Sequence, residues 1–289
     1  MGEFDFAGAL LVVLAAGLFT AALSFGEEHG WTSIPIISVL ALSFLFSGVF
    51  IARERRTPVP LLQLGLLKSR AFSIGIAAAM LNRLVLSGMT YLVSMYLELV
   101  KGYSTRFTGF LLLAPSLLIV ITGPVSGTLS DYIGSRRLCT LAGVFLFISV
   151  SVFVVFDETI ALSVIILALV FRGISMGLFA PPSLRLVLTS APGELQGAAS
   201  SFWYFSRYLA STIGIVVFET IFDHWIRGDE PAGTTGAIHL LHPIAGLETG
   251  FDHAFLVGVL FVVGMIALTV QLREGELMEE AGADQEAPS

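Results

Sequence analysis

Hydrophobic residues follow one another along this chain in eight long runs that short polar segments separate. The runs cover residues 7–25, 34–51, 71–97, 107–129, 138–156, 160–180, 197–222 and 254–272. Each run is close to the roughly 20 residues that a helix needs to cross the hydrocarbon core of a bilayer. The alternating pattern of a β-barrel strand is absent. The sequence therefore predicts an all-α membrane protein with about eight transmembrane helices.

The composition agrees with this class and narrows the set of partners. Hydrophobic residues make up 55% of the chain and charged residues 13%, and the mean hydropathy is +0.88. A soluble domain of this length is far less apolar. The formal net charge of -7 comes largely from outer loops and from the tail after Gln271. An acidic membrane protein of this kind is not expected to bind nucleic acid.

Basic residues collect on one side of the predicted bundle, which indicates its orientation. Nine lie on this side against three on the other, and the excess of Lys and Arg marks the cytoplasmic face. We therefore predict a multi-pass protein of the plasma membrane with both termini in the cytoplasm. Glu3 and Asp5 precede the first run where a signal peptide would carry basic residues, so we expect that run to span the membrane. The nine basic residues are Arg53, Arg55, Arg56, Lys68, Arg70, Arg136, Arg137, Arg185 and Arg273, and the three are Lys101, Arg106 and Arg227.

A short segment, residues 123–137, joins the fourth and fifth runs on the basic side. Its sequence GPVSGTLSDYIGSRR combines small residues, one carboxylate and two arginines. Any short inner loop would contain small residues and Arg, but the whole spacing G-x-x-x-D-x-x-G-x-R-R favours the conformational hinge of a transporter. The hinge candidates are Gly123, Pro124, Gly127, Asp131, Gly134, Arg136 and Arg137.

Each residue type has a physical role in such a hinge. Gly123 and Gly127 lie one helical turn apart and would let a neighbouring backbone approach closely. Pro124 would bend the helix locally. Asp131 can pair with one of the two arginines that follow it or lie against the positive start of the next helix. Gly134 would then allow the chain to reverse.

Three arginines, Arg83, Arg172 and Arg207, fall well inside the predicted spans. Each costs about 2.5–3.5 kcal/mol at the centre of a membrane helix, so all three are expected to face protein or water. Polar and soft apolar side chains recur on the same helix faces. The candidates for a substrate cavity are Asn82, Arg83, Ser87, Thr90, Arg172, Met176, Trp203, Tyr204 and Arg207.

Two interpretations of these faces remain open. The side chains can line a central cavity, where aromatic residues and Met offer adaptable surface to an apolar or cationic compound. Alternatively, each arginine binds backbone carbonyls and anchors one helix to another. Both interpretations stay open for Arg83, whereas we favour anchoring for Arg172 and Arg207. A cluster of cations would repel a cationic substrate unless carboxylates from elsewhere screened it.

Catalytic chemistry has little support in the sequence. An intramembrane enzyme would need inward-facing acid and base pairs or an activated serine, and neither H-E-x-x-H nor G-x-S-x-G is present. Within the predicted spans the acid is Glu219, near an outer end. We expect no enzymatic activity and no cofactor. A metal site at His239 and His242 is less favoured than two solvated loop histidines.

Several segments together resemble a known family. In chain order they are FDFAGALL, ERRTPVPLLQLGLLKSRAF, VKGYST, GTLSDYIGSRR, FRGISMGLFAPP and GAASSFWYFSRYLASTIG. Together they resemble the second half of a major facilitator superfamily transporter, of the fourteen-helix drug:proton antiporter type. The resemblance extends from Phe4 to Leu272.

The resemblance implies a division of the chain into four parts. Residues 1–51 would form two linker transmembrane helices, and residues 52–70 a basic cytoplasmic loop on the inner membrane face. Residues 71–272 would form the six-helix C-terminal bundle. Residues 273–289 are acidic, lack aromatic side chains, and are expected to be a disordered cytoplasmic tail.

The resemblance also implies a function. The chain would be the C-terminal part of a proton-coupled efflux antiporter for amphipathic compounds, which works by alternating access between two bundles. The N-terminal bundle, where the family has most of its coupling carboxylates, is missing from this chain. We therefore expect a separately encoded N-terminal half or a homodimer as partner. The alternatives are a noncatalytic half-transporter or scaffold, and a transporter of another solute class.

Overall fold

The computed structural model describes residues 5–57, 62–154, 159–227 and 244–272. Within these ranges the chain forms eight α-helices, all long and apolar enough to cross a membrane. The predicted all-α class and the number of spans are therefore confirmed. The helices are α1 Phe6–His29, α2 Ile34–Glu54, α3 Arg70–Leu99, α4 Thr105–Ile133, α5 Ser135–Val154, α6 Leu162–Thr189, α7 Gln196–Arg227 and α8 Ile244–Gln271.

Helix α6 is longer than its hydrophobic run because it continues through Pro181 and Pro182 to Thr189. Pro181 has no N–H to donate to the carbonyl of Gly177, four residues earlier. The hydroxyl of Ser126, on α4, donates to that carbonyl at 2.8 Å. A neighbouring helix therefore satisfies the group that the proline leaves free, as is common in membrane bundles.

The connection between α7 and α8 is shorter than predicted. The last two hydrophobic runs leave residues 223–253 between them, but α7 extends to Arg227 and α8 begins at Ile244. The additional acids that consequently lie in helices are Asp223, Glu248 and Asp252. The histidine pair His239 and His242 and the predicted acidic tail lie outside the described residues.

Helices α3 to α8 pack into one bundle around a shared core. Helix α6 lies between α4 and α5, α8 contacts α5, α3 and α7, and α3 packs along α7. Aromatic rings fill the interior, and Tyr96 meets Phe251 edge-on with their ring centroids 5.4 Å apart. In lipid, such van der Waals packing between helices replaces the hydrophobic effect as the main stabilising contribution. The largest buried side chains include Phe72, Tyr96, Phe153, Phe179, Phe218 and Phe222.

The contact between α3 and α7 is close enough for the two backbones to touch. A Cβ atom added at Gly88 would lie 2.8 Å from the carbonyl oxygen of Gly214. A Cβ atom at Gly214 would in turn lie 2.9 Å from the carbonyl carbon of Leu84. Real Cβ atoms do not approach other atoms this closely. Glycine is therefore required at both positions for this packing.

Helices α1 and α2 form a hairpin beside the bundle and contact it through α7. Ser43 on α2 donates to the carbonyl of Ala15 on α1 at 2.8 Å. At the basic end, the Arg53 guanidinium lies 2.9 Å from the Asp5 carboxylate, which also caps α1 by accepting from the Gly8 amide. These hydrogen bonds, the one from Arg53 first, lower the pKa of the Asp5 carboxyl from its usual value.

Candidate transport site

The carboxylate of Asp131, near the end of α4, accepts a hydrogen bond from Arg185 of α6. The same Nη1 atom of Arg185 donates to the hydroxyl of Ser130 at 3.1 Å. Arg185 reaches this position because α6 continues beyond its two prolines. The pair joins the basic ends of two different helices, whereas the sequence pointed to the arginines that directly follow Asp131 in the chain.

This ion pair contributes little to the stability of the fold. The Arg185 side chain is 48% exposed and that of Asp131 is 59% exposed. Ion pairs exposed to this degree typically contribute about 0–1 kcal/mol. A contact of this strength can break and re-form readily, which suits a movable connection between helices.

The turn after α4 forms at Gly134 as predicted, but no neighbouring backbone enters the space at the Cβ positions of the first two glycines of the hinge. Gly134 has a φ of 87° and ends α4, and α5 begins at the next residue. At Gly123 and Gly127 no atom lies within 4 Å of the position that a Cβ would occupy. Pro124 stands inside α4, which continues past it. The expectation failed because the periodicity of α4 does not say which of its faces meets a neighbour.

Two glycines on α6 create the close contact with α4 instead. A Cβ at Gly173 would lie 2.8 Å from the Cα atom of Pro115, and one at Gly177 would lie 3.1 Å from the amide nitrogen of Gly123. The two glycines are one turn apart, so they lie on the same face of α6. This face of α6 therefore permits tight packing against α4.

The arginines of the hinge, Arg136 and Arg137, lie in the first turn of α5. They line an open groove of about 940 Å³ together with Asp131, Thr140 and Val270. The groove lies at the basic end of the bundle. Positive side chains at this level are well placed to meet anionic lipid headgroups.

Arg172 is buried between α6 and α3. Its side chain is 3% exposed, and its Nη2 atom donates to the carbonyl of Leu86 at 2.9 Å and to the hydroxyl of Thr90. Both acceptors belong to α3. This geometry agrees with the anchoring interpretation, because the guanidinium binds a backbone carbonyl of the neighbouring helix.

Arg83 on α3 and Arg207 on α7 are half-buried and so more exposed than Arg172. The Arg207 guanidinium stands 4.5 Å from the centre of the Trp203 ring, a cation–π contact. Its buried Nη1 atom has no hydrogen-bond acceptor among the described residues. Arg83 is near enough to interact electrostatically with both Arg172 and Arg207. The three like charges have no ion-pair partner in the part of the chain that the structure describes.

The remaining cavity candidates divide between the interior and the open face. Asn82 is buried, and neither its amide nitrogen nor its amide oxygen has a partner among the described residues. Ser87 is also buried and donates to the carbonyl of Arg83 on its own helix. Thr90 and Tyr204 are exposed, and Met176 is half-buried against the core. Only part of the predicted set therefore faces open space.

Two further contacts were not predicted. One is the role of Arg185 as the partner of Asp131. The other is a hydrogen bond from the hydroxyl of Tyr91 on α3 to the carboxylate of Glu219 on α7. Neither contact has a signal in local spacing, because each joins residues from helices far apart in the chain.

Comparison with known proteins decides the family. The family model described as Major Facilitator Superfamily matches residues 4–215. The chain belongs to the Major Facilitator Superfamily. The resemblance drawn from the ordered segments is thereby confirmed, and superfamily membership together with eight apolar helices makes this a multi-pass membrane protein.

Three relatives within the superfamily illustrate the similarity. Multidrug resistance protein Stp from Mycobacterium tuberculosis is 29% identical over 224 residues, which is 78% of this chain and 42% of Stp. Multidrug export protein EmrB from Escherichia coli is 27% identical over 228 residues, 76% of this chain and 43% of EmrB. Riboflavin transporter RibZ from Clostridioides difficile is 26% identical over 220 residues, 76% of this chain and 47% of RibZ. The chain thus spans somewhat less than half the length of these curated relatives.

Proposed function

We propose that this chain forms the C-terminal part of a proton-coupled antiporter that exports amphipathic compounds by alternating access. The names of Stp and EmrB, a multidrug resistance protein and a multidrug export protein, support this substrate class. The observation that carries the proposal is the exposed Asp131–Arg185 pair at the ends of α4 and α6. A weak, solvent-accessible ion pair suits a contact that breaks and re-forms as one bundle rocks against another.

The open face of α7 supplies surface for such a compound. Tyr204 and Tyr208 are 51% and 70% exposed, and Arg207 lies on the same helix beside Trp203. Aromatic side chains with one polar end can bind ligands that are themselves partly apolar. Because the three membrane arginines have no carboxylate partner within the described residues, a cationic compound needs acidic groups from a partner.

Proton coupling is assigned to that partner as well. Coupling requires a carboxylate or histidine inside the transport path that can take up and release a proton. Glu219, in the half of α7 farther from the basic end, already accepts a hydrogen bond from Tyr91. The partner is an N-terminal six-helix half or a second copy of this chain.

A second candidate function is the transport of another solute class. The similarity to RibZ, named a riboflavin transporter, favours it. Riboflavin is neither a drug nor a cation, and the unpaired arginines are compatible with a polar or anionic solute. A noncatalytic half-transporter or scaffold is the outcome if no solute moves.

The first experiment measures transport by the chain in proteoliposomes with an imposed proton gradient. We expect no accumulation of ethidium or riboflavin by the chain alone, and transport when a six-helix N-terminal bundle is co-reconstituted. If the chain alone transports a compound and crosslinking shows dimers in the same membranes, the partner is a second copy of this chain. If no transport is measured under either condition, the proposal is refuted and the scaffold is the remaining alternative.

The second experiment tests the ion pair in a preparation that transports. Asp131→Asn should abolish gradient-driven transport without lowering the melting temperature, because the pair adds about 0–1 kcal/mol to stability. Glu194→Gln is the matched control, since Glu194 is an exposed carboxylate just after α6 at the same end of the bundle. Wild-type transport by the Asp131 variant would remove the assignment of this pair to the moving contact.

A further inference from the structure

An apolar pocket lies outside the bundle, between the α1–α2 hairpin and α7. Its volume is about 360 Å³, within the roughly 300–1,000 Å³ of small-molecule sites in proteins. The lining offers few hydrogen-bonding groups, and the hydroxyl of Ser43 is already donated to the carbonyl of Ala15. The lining therefore favours an occupant that is mostly hydrocarbon. The lining includes Ala16, Phe19, Phe44, Phe50, Phe202 and Leu209.

Two leucines that precede α3 close one end of the pocket. Leu62 and Leu64 line this end. The buried carboxylate of Glu54, in the last turn of α2, accepts a hydrogen bond from the amide of Leu62. This contact ties Leu62 to the end of α2, so Leu62 and Leu64 form a floor for the pocket.

The pocket lies at the depth of the acyl chains of a bilayer. On α1 the lining residues are 12 to 19, which places them about 10–21 Å along the helix axis from Asp5. On α2 they are 43 to 51, about 3–15 Å from Arg53. Half of the hydrocarbon core measures about 15 Å. The pocket therefore extends through the acyl chains of the leaflet at the basic end and, along α1, slightly past the bilayer midplane.

Four basic side chains lie within a few residues, along the chain, of the lining residues Ile51, Leu62 and Leu64. Arg55 and Arg56 follow α2 directly, and Lys68 and Arg70 flank the start of α3. All four are exposed, and the nearby Glu54 is buried. Clusters of this kind next to a membrane surface attract anionic lipid headgroups.

We propose that this pocket binds an acyl chain of one anionic phospholipid, whose headgroup lies against Arg55 and Arg56. The charge around the floor favours an anionic over a zwitterionic lipid. The bound lipid would join the hairpin to the bundle and fill the gap beside α7.

Native mass spectrometry of the full chain, released from detergent micelles after titration with lipid, tests the proposal. The probes are phosphatidylglycerol and phosphatidylcholine with identical acyl chains. We expect one phosphatidylglycerol to remain bound per chain, with a preference of about tenfold or more over phosphatidylcholine from two arginines. No retained lipid, equal retention of both, or a second copy of the chain in place of lipid would each overturn the assignment.

Variants locate the binding site. Ala16→Phe and, independently, Ser47→Phe fill the pocket from α1 and from α2 and should remove the bound lipid. Ala41→Phe is the matched control, because Ala41 is exposed on α2 and does not line the pocket. Melting curves must show that the filled variants are folded. A folded variant with a filled pocket that still retains the lipid contradicts the proposal.

Charge variants separate the headgroup from the chain. When both Arg55 and Arg56 are replaced by Gln, the protein should still retain one lipid. It should then bind phosphatidylglycerol and phosphatidylcholine about equally. Arg106→Gln, an exposed arginine at the opposite end of the helices, should leave the preference unchanged. An unchanged preference in the double variant would place the headgroup elsewhere and refute this part of the proposal.

Discussion

The contact between α3 and α7 makes a quantitative prediction for Gly214→Ala. The new Cβ would collide with the carbonyl oxygen of Leu84 and lie 2.6 Å from the hydroxyl oxygen of Ser87. A serine side chain can rotate away, but a helix carbonyl cannot move without its backbone. The two helices would have to separate, and Gly88 would lose its close contact with the Gly214 carbonyl.

The expected loss of stability in Gly214→Ala is the balance of two opposing effects. Overpacking of a tight contact costs about 1–3 kcal/mol, whereas replacing a helix-interior glycine by alanine gains up to about 1 kcal/mol. The net loss is on the order of 1–2 kcal/mol. At about 2–4 °C per kcal/mol for a domain of this size, the melting temperature should fall by several degrees.

Thermal unfolding in detergent, followed by tryptophan fluorescence, measures this loss. Gly109→Ala is the matched control, because Gly109 lies inside α4 with no atom within 4 Å of its Cβ position. We expect this control to melt at or above the wild-type temperature. Equal melting temperatures for Gly214→Ala and Gly109→Ala would refute the backbone contact between α3 and α7.

Three further predictions concern single polar side chains. Ser126→Ala should lower stability by about 1–2 kcal/mol, since it removes the donor to the Gly177 carbonyl; denaturation that matches the wild type would contradict this. Arg172→Ala should destabilise the protein by on the order of 2 kcal/mol, because the hydrogen bonds from Arg172 to α3 are lost. Arg83→Ala should fold normally and change which dyes the protein binds. If instead Arg83→Ala were destabilised and Arg172→Ala changed dye binding, Arg83 would be the anchor and Arg172 would line the cavity. The pKa of the Asp5 carboxyl is lowered from 3.8 in the folded protein. Its ion pair should therefore stabilise the hairpin above about pH 4, and this stabilisation should be lost as the pH falls through the lowered pKa of the folded protein. Wild type and Asp5→Asn should accordingly differ in melting temperature at pH 7 and have similar melting temperatures in acid.

The hydrophobic pattern predicted the eight helices because lipid forces each spanning segment to satisfy its own backbone hydrogen bonds. The helix ends were less predictable. The run of α6 was expected to end at its prolines, but Ser126 of another helix satisfies the carbonyl that Pro181 leaves free. Such compensation depends on which helix lies alongside, and the linear sequence does not contain that information.

The same limit applies to the candidate site. The spacing around Asp131 indicated a hinge and correctly predicted the turn at Gly134. It did not predict Arg185, because 54 residues separate the pair in the chain and periodicity gives the face of each helix but not its neighbour. The glycines show this also, since Gly177 contacts α4 closely whereas Gly127 faces open space.

By itself, the sequence determined the class of the protein, the number of its spans and its family, since these depend on local hydrophobicity and on ordered motifs. Only the tertiary structure decided the partner of Asp131, the burial of Arg172 against α3 and the apolar pocket beside α7. The physical reason is that these features arise where side chains of different helices meet. Rotation of one helix by a fraction of a turn would remove each of them while leaving the hydrophobic pattern unchanged.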